Sequence, residues 1–155
     1  MPAEWQRLVS SLAIALILTS CATPNRSTGT NPTSQGGQGD GTVETLLETR
    51  SCLECNLREA DLSELDLAET VLNRSDLAGV NLTGSNLQAT LLDNVDLSNA
   101  QLQGANLTQA ALTDANLSNA DLSEAILVGA FLRGAQLEGT NLSNADLADA
   151  DLTAT

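Results

Sequence analysis

The chain has 155 residues, 42% of them hydrophobic but only 1% aromatic, and it contains no Tyr, no His and no Lys. Six Arg stand against 20 Asp and Glu, a net charge of −14. The length fits one folded domain; the missing aromatics exclude an ordinary aromatic-rich core, the missing His and Lys remove the usual general base, Schiff-base amine and imidazole ligand, and the sign of the charge disfavours nucleic-acid binding.

The first predicted element is the segment 1–20. After Arg7 an apolar run extends from Leu8 to Leu18, broken only by Ser10 and Ser11. Such a run is too short to span a bilayer and suits the core of a signal peptide. It ends in "LTSC", which resembles the lipobox of bacterial lipoproteins, and that resemblance implies acylation of Cys21 and membrane attachment through the lipid. A rival reading is cleavage after Ala22, which would release a soluble exported protein. Residues 22–41, "ATPNRSTGTNPTSQGGQGDG", are almost free of apolar side chains and read as a flexible linker. With Cys21 they make a tether over 21–41, reaching roughly 25 Å root-mean-square.

Residues 42–52 are expected to cap the leucine-rich segment 53–155. Val43, Leu46, Leu47 and Arg50 fall at helical spacing, with Asp40 or Thr42 as N-cap, so a short helix is predicted over 42–50. Cys52 and Cys55 form a CxxC, "CLEC". Three readings compete: a half-buried pair, disulfide-linked after export; a redox motif, for which the strand-to-helix setting is missing; and a zinc site, which lacks its second pair of ligands.

From Leu57 to Leu152 a leucine stands at every fifth position, 20 in all. Two residues before it the side chain is small, Ala in 11 of 20 cases, and one residue before it stands Asp seven times, Asn six and Gln twice. A step of five sprays leucines around an α-helix and alternates them across a strand. Each pentad therefore reads as a short extended piece followed by a bend, with Asp, Asn and Gly supplying the turn. Repeated, this is a coil with leucines inside and backbone hydrogen bonds between turns. The sequence ends at "ADLADADLTAT", still in register, and no lid is expected at that end.

The pattern "ADLSE", "ANLTQ", "ANLSN" over 53–155 resembles the pentapeptide-repeat family, A(D/N)LXX in tandem, and with the leading "LLETRSCLECNL" it looks most like cyanobacterial members. The resemblance implies an all-β fold, a right-handed quadrilateral β-helix of about five coils. The slot before leucine is apolar five times, at Val71, Leu91, Ala111, Ile126 and Phe131. Four of these are 20 residues apart, a clustering with random odds on the order of one in fifty. With four pentads per coil they form one outer stripe, a candidate protein-contact surface; drift in a tolerant outward slot is the bland alternative.

No constellation supports catalysis, and no metal site or cofactor is predicted. Carboxylates on neighbouring coils are not concentrated in a loop as a dedicated Ca²⁺ site requires. The expected function is a non-catalytic structural or protein-interaction module, tethered in the cell envelope and facing the periplasm, a thylakoid lumen or the exterior. It would bind an unidentified protein or itself. The alternative, suggested by the acidity and by quinolone-resistance relatives that resemble a rod of DNA, is a nucleic-acid mimic regulating a DNA-binding enzyme such as gyrase. Seven of the acids fill the slot before leucine, where turn chemistry already accounts for them.

Overall fold

The computed structural model describes residues 43–155. The predicted signal segment, Cys21 and the linker lie outside the described residues. The first element, α1, runs Val43–Thr49. Glu44 stands in its first turn, where a carboxylate complements the helix dipole. Leu46 is fully buried, with Val43 and Leu47 packed partly against the core. The helix stops at Arg50, which takes a left-handed conformation (φ 57°) and donates its N–H to the Leu46 carbonyl (2.9 Å), closing the C-terminal turn.

A ladder of parallel bridges begins at Ser51. Ser51 pairs with Val71, Val71 with Leu91, Leu91 with Ala111, Ala111 with Phe131, and Phe131 with Asp151. The other three ladders likewise advance by 20 residues per rung, as in Asn56 with Asp76, Asp61 with Asn81 and Asp66 with Asn86. Four pentads therefore close one turn of coil. We number the four sides by their leucines: the first carries Leu72, Leu92, Leu112 and Leu132, and the second, third and fourth carry the leucines five, ten and fifteen residues later.

Pentads within the coil repeat one set of bonds. The leucine N–H donates to the coil above, as Leu57 does to the Asp76 carbonyl (2.8 Å), and Asp76 N–H donates back to the Cys55 carbonyl (2.8 Å). The corner residue, two after the leucine, adds a third bond, as Glu59 N–H does to Ala78 (3.1 Å). The small residue after the corner closes a turn onto the leucine carbonyl, as Ala60 N–H does to Leu57 (3.2 Å). Corner residues take positive φ throughout, in Gly79 (70°) and equally in Glu59 (56°) and Asn99 (59°). This is the conformation that Gly and Asn tolerate best. The Asp or Asn before each leucine accepts the N–H two residues on, as Asp96 Oδ1 does from Ser98 (2.9 Å) and Asn116 Oδ1 from Ser118 (3.1 Å). That bond explains the repeat's preference for these two residue types.

Inside, leucines stack on leucines. The repeat leucines, one every five residues from Leu62 to Leu132, are at most 1% exposed. Hydroxyls that replace Ala in the small slot are satisfied: Thr70 and Thr90 both donate to the Leu67 carbonyl at 2.8 Å. Leu137, Leu142 and Leu147 are partly buried and Leu152 is exposed.

Candidate functional site

The outward slots of the first side hold the apolar residues that the spacing of 20 brings together. Val71, Leu91, Ala111 and Phe131 occupy successive rungs of one ladder. Phe131 is 52% exposed and Leu91 41%, while Val71 and Ala111 are half-buried. Ile126, 42% exposed, stands on the neighbouring ladder between Asn106 and Asp146, so it flanks the column without joining it. Leu53 belongs to the same side and, among the described residues, is the most exposed large apolar one, at 53%. Sequence periodicity passed over it because Cys52, not Leu53, fills the leucine slot of the first rung.

Charge separates the sides. Arg74 and Arg133 both stand on the first side, among Glu54, Asp93, Asp114 and Asp151. The third side carries Asp61, Glu64, Asp121 and Glu124 with no Arg, and the fourth carries Asp66, Glu69, Asp146 and Asp149, also with none. Arg74 pairs loosely with Glu54 (3.7 Å) at a shallow groove of about 420 Å³ lined by Leu53, Asn73, Asp93 and Asn94 as well. On the second side Arg58 bonds both oxygens of Asp76 at 3.1 Å, which raises the guanidinium's pKa further.

At the cap, Cys52 sits in a leucine slot and Cys55 in a small slot, both buried, with sulfurs in bonding contact and Cα atoms 5.6 Å apart. The turn they span differs from its neighbours. Cys55 N–H donates to Ser75 Oγ (3.1 Å), and Ser75 Oγ donates in turn to the Cys52 carbonyl (2.9 Å). A hydroxyl from the next coil thus replaces the direct turn bond. Ser75→Ala should strand both backbone groups and cost about 1–3 kcal/mol, read as a lowered urea midpoint of the oxidised protein; an unchanged midpoint would show that the relay contributes nothing. Arg50 caps the same edge, its guanidinium donating to the Asp66 (3.0 Å) and Ala68 (3.2 Å) carbonyls. On the coil above, those carbonyl positions take a backbone N–H. Nothing in the sequence pattern singled out either Ser75 or Arg50 for these roles.

Three carboxyls are held below the ordinary aspartate value. Asp61 is lowered by the Ser63 hydroxyl and N–H, Asp121 by the Ser123 N–H and hydroxyl, and Asp151 by the Thr153 hydroxyl and N–H. These are chiefly turn bonds, at exposed Asp61 and Asp151 and at half-buried Asp121. Among the described residues no cluster of Cys, Asp and Glu is arranged to hold a metal ion, and no helix is long and apolar enough to cross a membrane.

Two family profiles match the chain: a pentapeptide repeat region over 51–127 and eight copies of pentapeptide repeats over 115–153. Among solved structures it is similar to HetL, a pentapeptide repeat protein involved in heterocyst differentiation regulation from the cyanobacterium Nostoc sp. strain PCC 7120. That likeness has 32% identity and a TM-score of 0.50, covering 66% of this chain and 57% of HetL. The chain thus spans little more than half of HetL's length. It is also similar to alr5209 of Nostoc PCC 7120 (36% identity, TM-score 0.35, 64% of this chain and 74% of that one). A third likeness is to Rfr23 of Cyanothece 51142 (28%, TM-score 0.39, 71% and 93%). Among curated proteins none matches. With the repeat matched from 51 to 153 and the coil built pentad by pentad, the chain belongs to the pentapeptide-repeat family.

Proposed function

We propose that this protein is a non-catalytic interaction module that makes protein contacts through the first side of its coil, and that an acylated Cys21 holds it at a membrane, facing the periplasm, a thylakoid lumen or the cell exterior. The observation that carries the contact role is the column of Val71, Leu91, Ala111 and Phe131 on a surface otherwise dominated by carboxylates. A rigid ladder fixes these side chains in line, so little conformational entropy is lost when a partner covers them, and exposed apolar clusters on small proteins mark contact sites. The likeness to HetL, a protein involved in heterocyst differentiation regulation, supports a regulatory role exerted by binding. Export would place Cys52 and Cys55 where a disulfide persists, so alkylation of denatured, unreduced protein should leave both thiols unmodified.

The tether is tested by Cys21→Ser. This variant should abolish labelling by a radioactive fatty acid and move the protein from the membrane to the soluble fraction. A second assay captures proteins from solubilised membranes with the intact lipidated chain. Membrane association unchanged by Cys21→Ser would remove the anchor, and a captured DNA-binding enzyme would favour the nucleic-acid mimic instead.

A further inference from the structure

We propose that the occupant of the first side is a second copy of this chain, packed face to face and antiparallel. The proposal deepens the reading of the first side as a contact surface. Two constraints on the ladder lead to it.

The first is geometry. Turning a second copy about an axis along its own coil brings the column before leucine onto the column after it. Phe131 would then face Arg133 and Leu91 would face Asp93, apolar against charged. Turning it about an axis along the strands keeps every column opposite itself and reverses the order of rungs. Centred between the rungs of Leu91 and Ala111, this antiparallel pairing sets Leu91 against Ala111 of the second copy and Val71 against Phe131 of the second copy. Each pair matches a larger side chain with a smaller one, as interdigitated packing requires.

The second is charge. Two chains of net charge −14 repel, and meeting on the third or fourth side would set carboxylate against carboxylate. The first side is different. In the antiparallel pairing Arg74 is offset along the coil by one rung, about 4.8 Å, from Asp114 of the second copy, within reach of its long side chain, and Arg133 is offset by one rung from Asp93 of the second copy. The two-fold axis repeats both contacts, giving four ion pairs around an apolar centre, an isologous interface. A side this narrow falls short of the roughly 800 Å² per partner of a stable complex, so the pair is reversible and concentration-dependent.

The test uses the full-length chain, co-expressed in two differently tagged forms. One carries Leu91→Cys and the other Ala111→Cys, and a short bismaleimide is added. The wild-type pair reports any background from native cysteines, and Leu91→Cys with Gln101→Cys reports collisions involving the third side. A tagged heterodimer is expected from the first combination alone. Arg74→Asp in both tagged forms should lower its yield about tenfold, and Asp114→Arg added to both forms should restore it. Both positions are corner residues of positive φ, where Arg and Asp already occur (62° and 56°), so the exchange leaves the fold intact. No heterodimer, equal cross-linking to Gln101→Cys, or no restoration by Asp114→Arg would overturn the pairing. Any of these outcomes leaves the contact role of the first side standing, because capture of a different protein is read separately.

Discussion

Leu132→Asp is expected to unfold the coil, while Phe131→Asp, one residue earlier, leaves it folded. Leu132 is 1% exposed and stacks among the leucines of its own and adjacent turns. Its backbone N–H is bonded to the Asp151 carbonyl (2.8 Å), so the side chain has no outward path that keeps the ladder. An Asp there removes the apolar burial, leaves a cavity and sets an unpartnered carboxylate in the core. The summed cost, on the order of 5 kcal/mol or more, matches the whole stability of a typical domain. Phe131 points outward at 52% exposure. An Asp at that slot is what the repeat uses at Asp121 and Asp151, where the carboxylate accepts the N–H two residues on. The substitution therefore supplies a turn bond and should change stability by no more than about 0.5 kcal/mol. Thermal melts followed by circular dichroism measure both. Similar losses for the two variants would mean that Phe131 is core and the outward register is wrong.

The second large effect concerns the cap. Leu46→Ala should destabilise the protein by about 2–5 kcal/mol, the range for truncating a fully buried leucine. Leu46 is 0% exposed and joins the same core as Cys52, Cys55 and Leu57, so its loss opens the first turn of the coil rather than the helix alone. A helix of one core leucine held by the Arg50 bonds has little stability of its own. Urea denaturation gives the loss, and native-state hydrogen exchange should show the first-coil N–H groups of Cys52 and Leu57 opening before those of Leu102. A variant as stable as wild type would show that α1 rests on the coil without closing it.

Much of the coil was legible because its physics is local and repeated. A leucine every fifth residue, a small residue two before it and an Asp or Asn one before it describe one turn, and one turn repeated describes the ladder. Phe131 and its equivalents carried the rung spacing as well, since only a period of 20 places them in line. The end of the coil was harder to read. Arg50 and Ser75 act across turns, through a guanidinium on two carbonyls and a hydroxyl between two cysteines, and such contacts leave no periodic mark. Leu53 escaped for a related reason: the register at the cap is kept by Cys52, and a leucine out of register looks like filler until its exposure is seen. The apolar column was visible as a spacing, but the Arg74 and Arg133 that distinguish its side from the acidic third and fourth became meaningful only once the sides were assigned.

A protein that works by contact through one side of its coil should lose its partner when that side alone is altered. The decisive experiment measures everything that co-purifies from membranes with the intact, tagged chain, whether a second copy or another protein, for wild type, Phe131→Asp and Gln101→Asp. Gln101 is exposed on the third side, so its variant adds the same charge away from the column. Bound protein is expected to be retained by wild type and by Gln101→Asp and to fall at least about tenfold with Phe131→Asp, the loss expected of an aromatic anchor. Equal retention by all three folded proteins would contradict contact through the first side.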